Sequence, residues 1–212
     1  MGKYLYFIAP FIFTASVVAG QNDPAAVKIL DRFSEKSVAA PSVSMKFELV
    51  TVNQMDNSNE SIKGSIILSK NKYRLELPDN ITWFNGETVW SYLIAEKEVT
   101  INKADKRDNS FQNRPSTIFS MYKEGYKCRL IEDKPDLVTI DLYPEDIKSE
   151  HLRVRLIIGK ALLDLKSLEY KKRDGIVITL NVLSYDLNQK PEPNSFIYPQ
   201  SVYKGAEVID MR

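Results

Sequence analysis

From Ser42 onward the apolar residues stop recurring at helical spacing and begin to alternate. Val43, Met45, Phe47 and Leu49 interleave with Ser44, Lys46 and Glu48, the period of two expected of a half-buried strand. Similar segments follow at 62–69, 73–77, 80–84, 87–94 and 98–103, and again at 126–132, 137–143, 152–159, 163–173 and 176–187. Turn residues separate them: a polar loop at 53–60, Lys70-Asn71, Asn85-Gly86 and Asp174-Gly175. The Asn85-Gly86 pair predicts a type I′ hairpin turn. Pro191 and Pro193 mark a loop before strands at 195–198 and near 200–208. Nearest-neighbour hairpins dominate, so the fold class is mainly β (α+β): a curved antiparallel meander of roughly ten strands with helices packed on it.

Helical signals occur at two places in the exported part of the chain. Asp23-Pro24 supplies an N-cap acid and a proline at the first helical position. Val27, Ile29, Leu30 and Phe33 form a stripe through about Lys36, and Ala39-Ala40-Pro41 ends it. Pro115 starts a second, short helix carrying Ile118, Phe119 and Tyr122 on one face, with Gly125 at its C-terminus. A ten-residue helix is only about 15 Å long, so two of them cap a large curved sheet without roofing it. The apolar inner face is then either a packed core or a hollow suited to an acyl chain or apolar peptide, and pattern alone leaves both open.

Residues 1–20 read as a secretory signal peptide. Lys3 precedes an apolar stretch from Leu5 to Val18, and small residues suit cleavage after Ala19 or Gly20. Residues 21–212 then form one domain, since no repeat, composition break or linker divides them. Export with a single cysteine, Cys128, fits a periplasm better than a disulfide-rich extracellular space. The formal charge of +1 is carried by Lys3, so processing leaves 28 basic against 28 acidic residues and no footprint for nucleic acid.

Catalytic signals are weak. One histidine, His151, excludes HExxH and most His-based metal or triad arrangements, and no GxSxG, P-loop or GxGxxG motif occurs. Cys128 sits on a strand as a structural thiol. The acid pairs Glu145-Asp146 and Asp105/Asp108 lie in polar turns, where solvated carboxylates are expected. No catalytic residue, cofactor or metal ligand is assigned; a small hydrolase using Glu145 or Asp146 is the disfavoured alternative.

Several motifs, taken in order, resemble the LolA family of periplasmic outer-membrane lipoprotein carriers. They are the strand Met45-Lys46-Phe47, the segment Lys70-Asn71-Lys72-Tyr73-Arg74-Leu75-Glu76, and the hairpin Trp83-Phe84-Asn85-Gly86-Glu87-Thr88-Val89-Trp90-Ser91-Tyr92 with Val99 after it. Arg114-Pro115-Ser116-Thr117-Ile118-Phe119 is similar to the family's lid, and Asp174-Gly175 with Phe196-Ile197-Tyr198-Pro199 to its ending. The resemblance implies a half-open antiparallel barrel with a helical lid over an apolar cavity. It implies a monomer that takes triacylated lipoproteins from an inner-membrane ATP-driven transporter to an outer-membrane acceptor, or to that membrane directly. The expected acyl cavity is lined by Met45, Phe47, Leu49, Tyr73, Leu75 and Trp90, with Ile118, Phe119 and Tyr122 from the lid. The family's latch arginine has no counterpart near Lys70-Asn71, so Lys70, a point charge, or Arg74 is the latch candidate. The alternative is a related lid-barrel module that binds another apolar ligand or senses lipoproteins without transferring them.

Overall fold

The computed structural model describes residues 22–104 and 114–212. The signal segment and the Asp105/Asp108 pair lie outside the described residues. Helix α1 (Pro24–Ala39) precedes eleven strands that make up most of the sheet. These are β1 (Val43–Asn53), β2 (Ser58–Ser69), β3 (Lys72–Glu76), β4 (Asn80–Phe84), β5 (Thr88–Leu93), β6 (Glu98–Lys103), β7 (Tyr126–Asp133), β8 (Leu137–Pro144), β9 (His151–Gly159), β10 (Asp164–Lys172) and β11 (Ile176–Asp186). A twelfth, β12 (Glu207–Asp210), closes the chain.

The strands form one open, curved sheet in the order β12-β6-β5-β4-β3-β2-β1-β11-β10-β9-β8-β7. The meander expectation therefore holds within β1–β6 and within β7–β11, but the two runs are joined through β1 and β11. Met45 pairs with Tyr185 and Leu49 with Leu180 across that seam. The sheet does not close into a barrel: β12 and β7 are its edges. It is mixed, because β12 runs parallel to β6.

The segment read as a strand at 195–198 is instead a 3-10 turn, Pro193–Phe196, and the last strand starts at Glu207, past most of the span expected for it. The Asn85-Gly86 turn is also not type I′, which needs two positive φ angles. Only Gly86 has one, at 101°, and the Asn85 side chain accepts from the backbone N–H groups of Glu87 and Thr88 at 3.0 and 2.9 Å.

Helix α1 starts as its sequence dictates, with the Asp23 carboxylate accepting from Ala25 N–H at 2.9 Å and proline first in the helix. Its stripe is wider than Leu30 and Phe33: Ala26, Ser34 and Ser37 are buried too. This face lies on the concave side of the sheet, where Ser37 Oγ and the Tyr185 hydroxyl are 2.8 Å apart. Asn22 and Asp23 also shield an open edge. Asp23 N–H donates to the Cys128 carbonyl at 3.0 Å, and Cys128 N–H donates to Asn22 Oδ1 at 2.8 Å.

One large core fills the concave side, built by Val43, Met45 and Phe47, then Ile66 and Leu68, and on the far half Ile140, Leu142, Val154, Leu156, Ile158 and Leu168. Gly64 lies opposite Phe47, and a Cβ there would sit 2.7 Å from the Phe47 ring. A second, smaller core lies on the convex side. Trp83, Tyr92 and Val99 are covered there by Tyr198, and Tyr203 packs at their edge. Further along the convex face Asp141, 1% exposed, accepts from Arg155 Nε and Nη2 at 2.7 and 2.8 Å. This buried charge is paired and structural.

Candidate functional site

The connection from β6 to β7 brings the expected lid onto the concave face. It is not a helix of any length but two 3-10 turns, Pro115–Phe119 and Met121–Lys123. Such turns make few internal hydrogen bonds, so tertiary contacts must fix their position. Ile118, Phe119 and Tyr122 are all buried. The Phe119 ring packs on Phe33 of α1 with centroids 5.6 Å apart, and the Tyr122 hydroxyl donates to Asp31 Oδ1 at 2.6 Å. Burial first, then the Asp31 carboxylate, hold the Tyr122 hydroxyl far above the ordinary phenol range, so it remains a donor. The lid is thus fastened to the helix.

Two cavities flank this lid. The larger, ≈ 920 Å³, lies between the lid and the β2–β3 and β4–β5 turns. Leu68, Tyr73, Phe84, Met121 and Tyr126 supply its apolar wall, and Asn71, Lys72, Thr117, Lys123 and Glu124 its polar part. Burial pushes the Tyr73 hydroxyl up to about 12 and raises that of Tyr126, which keeps both neutral. The smaller, ≈ 270 Å³, lies between the C-terminal end of α1 and the other side of the lid, with Leu68, Ser116 and Ser120 shared between the two. The larger cavity, at ≈ 920 Å³, falls within the range of small-molecule sites, which run roughly 300–1,000 Å³.

The expected acyl-lining residues are distributed as follows. Met45, Phe47, Tyr73, Ile118, Phe119 and Tyr122 are buried in the main core, with Leu49 and Leu75 packed against it. Of these, Tyr73 lines the larger cavity and Phe119 the smaller. Trp90 is not brought to them. Its register partner is Trp83, and it packs with the convex-side core.

Arg74 also faces the convex side, opposite Trp83, and pairs with Glu76. Lys70 is exposed in the β2–β3 turn with φ 54°, and it lines the smaller cavity beside Phe119. Sequence reasoning missed Leu68, Phe84, Met121 and Tyr126, and it missed Asp31 as the partner of Tyr122. Phe84 had a legible signal: it shares a face with Tyr73 through their pairing, with rings 5.4 Å apart.

The disfavoured catalytic candidates stay dispersed. Glu145 and Asp146 are exposed, with Asp146 capping Lys148 N–H at 2.8 Å. His151 stacks obliquely 5.5 Å from Tyr170, and Cys128 is fully buried. Among the described residues no cluster of three His, Cys, Asp or Glu side chains is arranged to hold a metal ion.

Residues 17–139, over half of the chain, match the family described as outer membrane lipoprotein carrier protein LolA. No curated protein matches significantly. Among solved structures, an uncharacterized conserved protein from Thermus thermophilus superposes with a TM-score of 0.57 at 16% identity, covering 88% of this chain and 99% of that one. That likeness speaks to the fold. A LolA superfamily protein from Nitrosomonas europaea gives 0.41 at 13% identity over 82% and 97% of the two chains. Mycobacterium tuberculosis lipoprotein LppX gives 0.43 at 10% over 79% and 100%.

Proposed function

The chain belongs to the LolA family of outer membrane lipoprotein carriers, and from that premise we propose that it carries lipoproteins through the periplasm with their acyl chains shielded on its concave face. Residues 1–20 direct export and are removed, and residues 21–212 work as one monomeric domain. The observation that carries this reading is the ≈ 920 Å³ cavity walled on one side by the lid and floored by Leu68, Tyr73 and Phe84.

An acyl chain entering there would extend the cavity by displacing Ile118, Phe119 and Tyr122, uncovering Met45, Phe47, Leu49 and Leu75 beneath. One C16 chain exposes about fifteen methylenes at ~0.8 kcal/mol each, so unshielded transit through water costs on the order of 12 kcal/mol. That is the work a carrier does. It needs no catalytic step, and none is assigned. The donor is an inner-membrane ATP-driven transporter; the acceptor is an outer-membrane protein or that membrane itself.

The test is release of a triacylated lipoprotein from inner-membrane vesicles into solution by the purified exported protein. Met121→Glu, which places a charge on the partly buried lid wall, should lower release while leaving the circular dichroism spectrum unchanged. Equal release with and without the protein would sink the carrier reading. Capture of the protein by a regulator, with no release, would favour the sensing module instead.

A further inference from the structure

The acyl anchor of a triacylated lipoprotein carries no charge, yet the described lining of the larger cavity includes two exposed lysines. Among the described residues that line it, Lys72, Arg114 and Lys123 are cationic and Glu124 alone is anionic. The two lysines stand on opposite walls. Lys72 opens β3 just after the turn, and Lys123 ends the second lid turn, with its Nζ 5.8 Å from the Tyr122 ring centroid. Both are exposed, and no described acid is bonded to either. Ser116, Thr117 and Ser120 line the cavity as well, and Thr117 Oγ1 donates to the Arg114 carbonyl at 2.7 Å, which leaves its lone pairs free to accept. The rest of the wall is supplied by Leu68, Tyr73, Phe84, Met121 and Tyr126.

We propose that this cavity binds an anionic amphiphile, its tail on the apolar wall and its phosphate or carboxylate head held between Lys72 on the sheet and Lys123 on the lid. The inference rests on the reading of the cavity as an acyl site and adds the chemistry of the head. An ammonium on each wall matches a compact anion with several acceptor oxygens, and each such contact is charge-assisted. A head held this way also ties the lid to the sheet, the link for which Lys70 and Arg74 were candidates and which neither makes.

The experiment is calorimetric or native-mass-spectrometric titration of the exported, processed protein with four probes. Three share one tail length: a fatty acid, the matching lysophosphatidic acid, and the matching uncharged monoacylglycerol; the fourth is inorganic phosphate. Both anionic amphiphiles should bind about tenfold tighter than the monoacylglycerol, and the preference should shrink at high salt. The double variant Lys72→Ala/Lys123→Ala, altered only at exposed positions, should lose that preference and keep monoacylglycerol binding.

Equal binding of charged and uncharged probes, or a preference untouched by the double variant, overturns the headgroup assignment and leaves the acyl site standing. Inorganic phosphate binding as tightly as the lysophosphatidic acid overturns the amphiphile. Failure of all three tailed probes removes the acyl-site reading itself.

Discussion

The hydroxyl of Tyr122 is the polar fastening between lid and helix, and Tyr122→Phe removes it while keeping the buried ring. A hydrogen bond to a charged acceptor is worth roughly 1.5–3 kcal/mol. Asp31 is only half-buried, so water can replace the lost donor, and the lower end applies: about 1.5 kcal/mol, or roughly tenfold in the closed-to-open equilibrium of the lid. The reporters are amides inside the lid, Ser120 N–H bonded to the Thr117 carbonyl at 2.9 Å and Lys123 N–H bonded to the Ser120 carbonyl at 3.0 Å. Hydrogen exchange at both should accelerate about tenfold in the variant, with exchange in β8 and β9 unchanged. Asp31→Asn, which keeps an acceptor but loses the charge, should give a smaller effect in the same direction. Unaltered exchange at Ser120 and Lys123 in Tyr122→Phe would refute the reasoning, since the lid would then be held by its apolar contacts alone.

Three further outcomes are expected. Gly86→Ala should cost about 1–2 kcal/mol, roughly 2–8 °C in Tm, because φ 101° strains an L-residue and a Cβ would meet Asn71 Nδ2 at 2.7 Å; an unchanged Tm contradicts this. Burial pushes the Cys128 thiol up to about 11, so aromatic disulfide reagents at mildly alkaline pH should react only as fast as the protein unfolds; rapid labelling of the native protein would show that the core is open there. Burial, opposed by Glu150 and aided by Lys172, holds the His151 imidazole below its ordinary 6.5. The unfolded chain therefore binds the proton first, so this contribution is complete above pH 6.5 and is lost as the pH falls below it toward the folded value. Between about pH 7 and 5 the Tm of the natural protein should fall more steeply than that of His151→Gln, and parallel curves would contradict the assignment.

What the sequence made legible follows from which interactions are local. Helix α1 is specified by Asp23-Pro24 and a stripe every three or four residues, and it forms with that cap. The β1–β6 and β7–β11 hairpins are specified by alternation and by turn residues that fix nearest neighbours. The seam between β1 and β11 joins residues well over a hundred positions apart, and no turn encodes it. The parallel β12 is illegible for a related reason: all four of its residues are exposed. With neither face buried, a four-residue strand has no alternation to read.

The misplacement of Trp90 has a more specific cause. Alternation assigns a face only where one side of the sheet is wet, and β4 and β5 are apolar on both sides: Phe84 and Val89 inward, Trp83, Trp90 and Tyr92 outward. The cover on the outer side is Tyr198 and Tyr203, more than a hundred residues later, with Tyr92 and Tyr203 centroids 4.5 Å apart. Until that cover is known, the phase of β5 is undetermined and the tryptophan reads equally well as inner or outer.

The lid presents the same ambiguity in time instead of space. Ile118, Phe119 and Tyr122 are core residues when the lid rests on Phe33, and under the carrier reading they are cavity walls when it lifts. Both states demand apolar side chains at the same spacing, so core and hollow are not competing descriptions of these residues. What separates them is the strength of the fastening. A lid of two 3-10 turns depends on its contacts with the helix and core, among them the Phe33–Phe119 ring contact and the Tyr122–Asp31 hydrogen bond, and under the carrier reading a ligand displaces it by replacing those apolar contacts with its own methylenes at ~0.8 kcal/mol each.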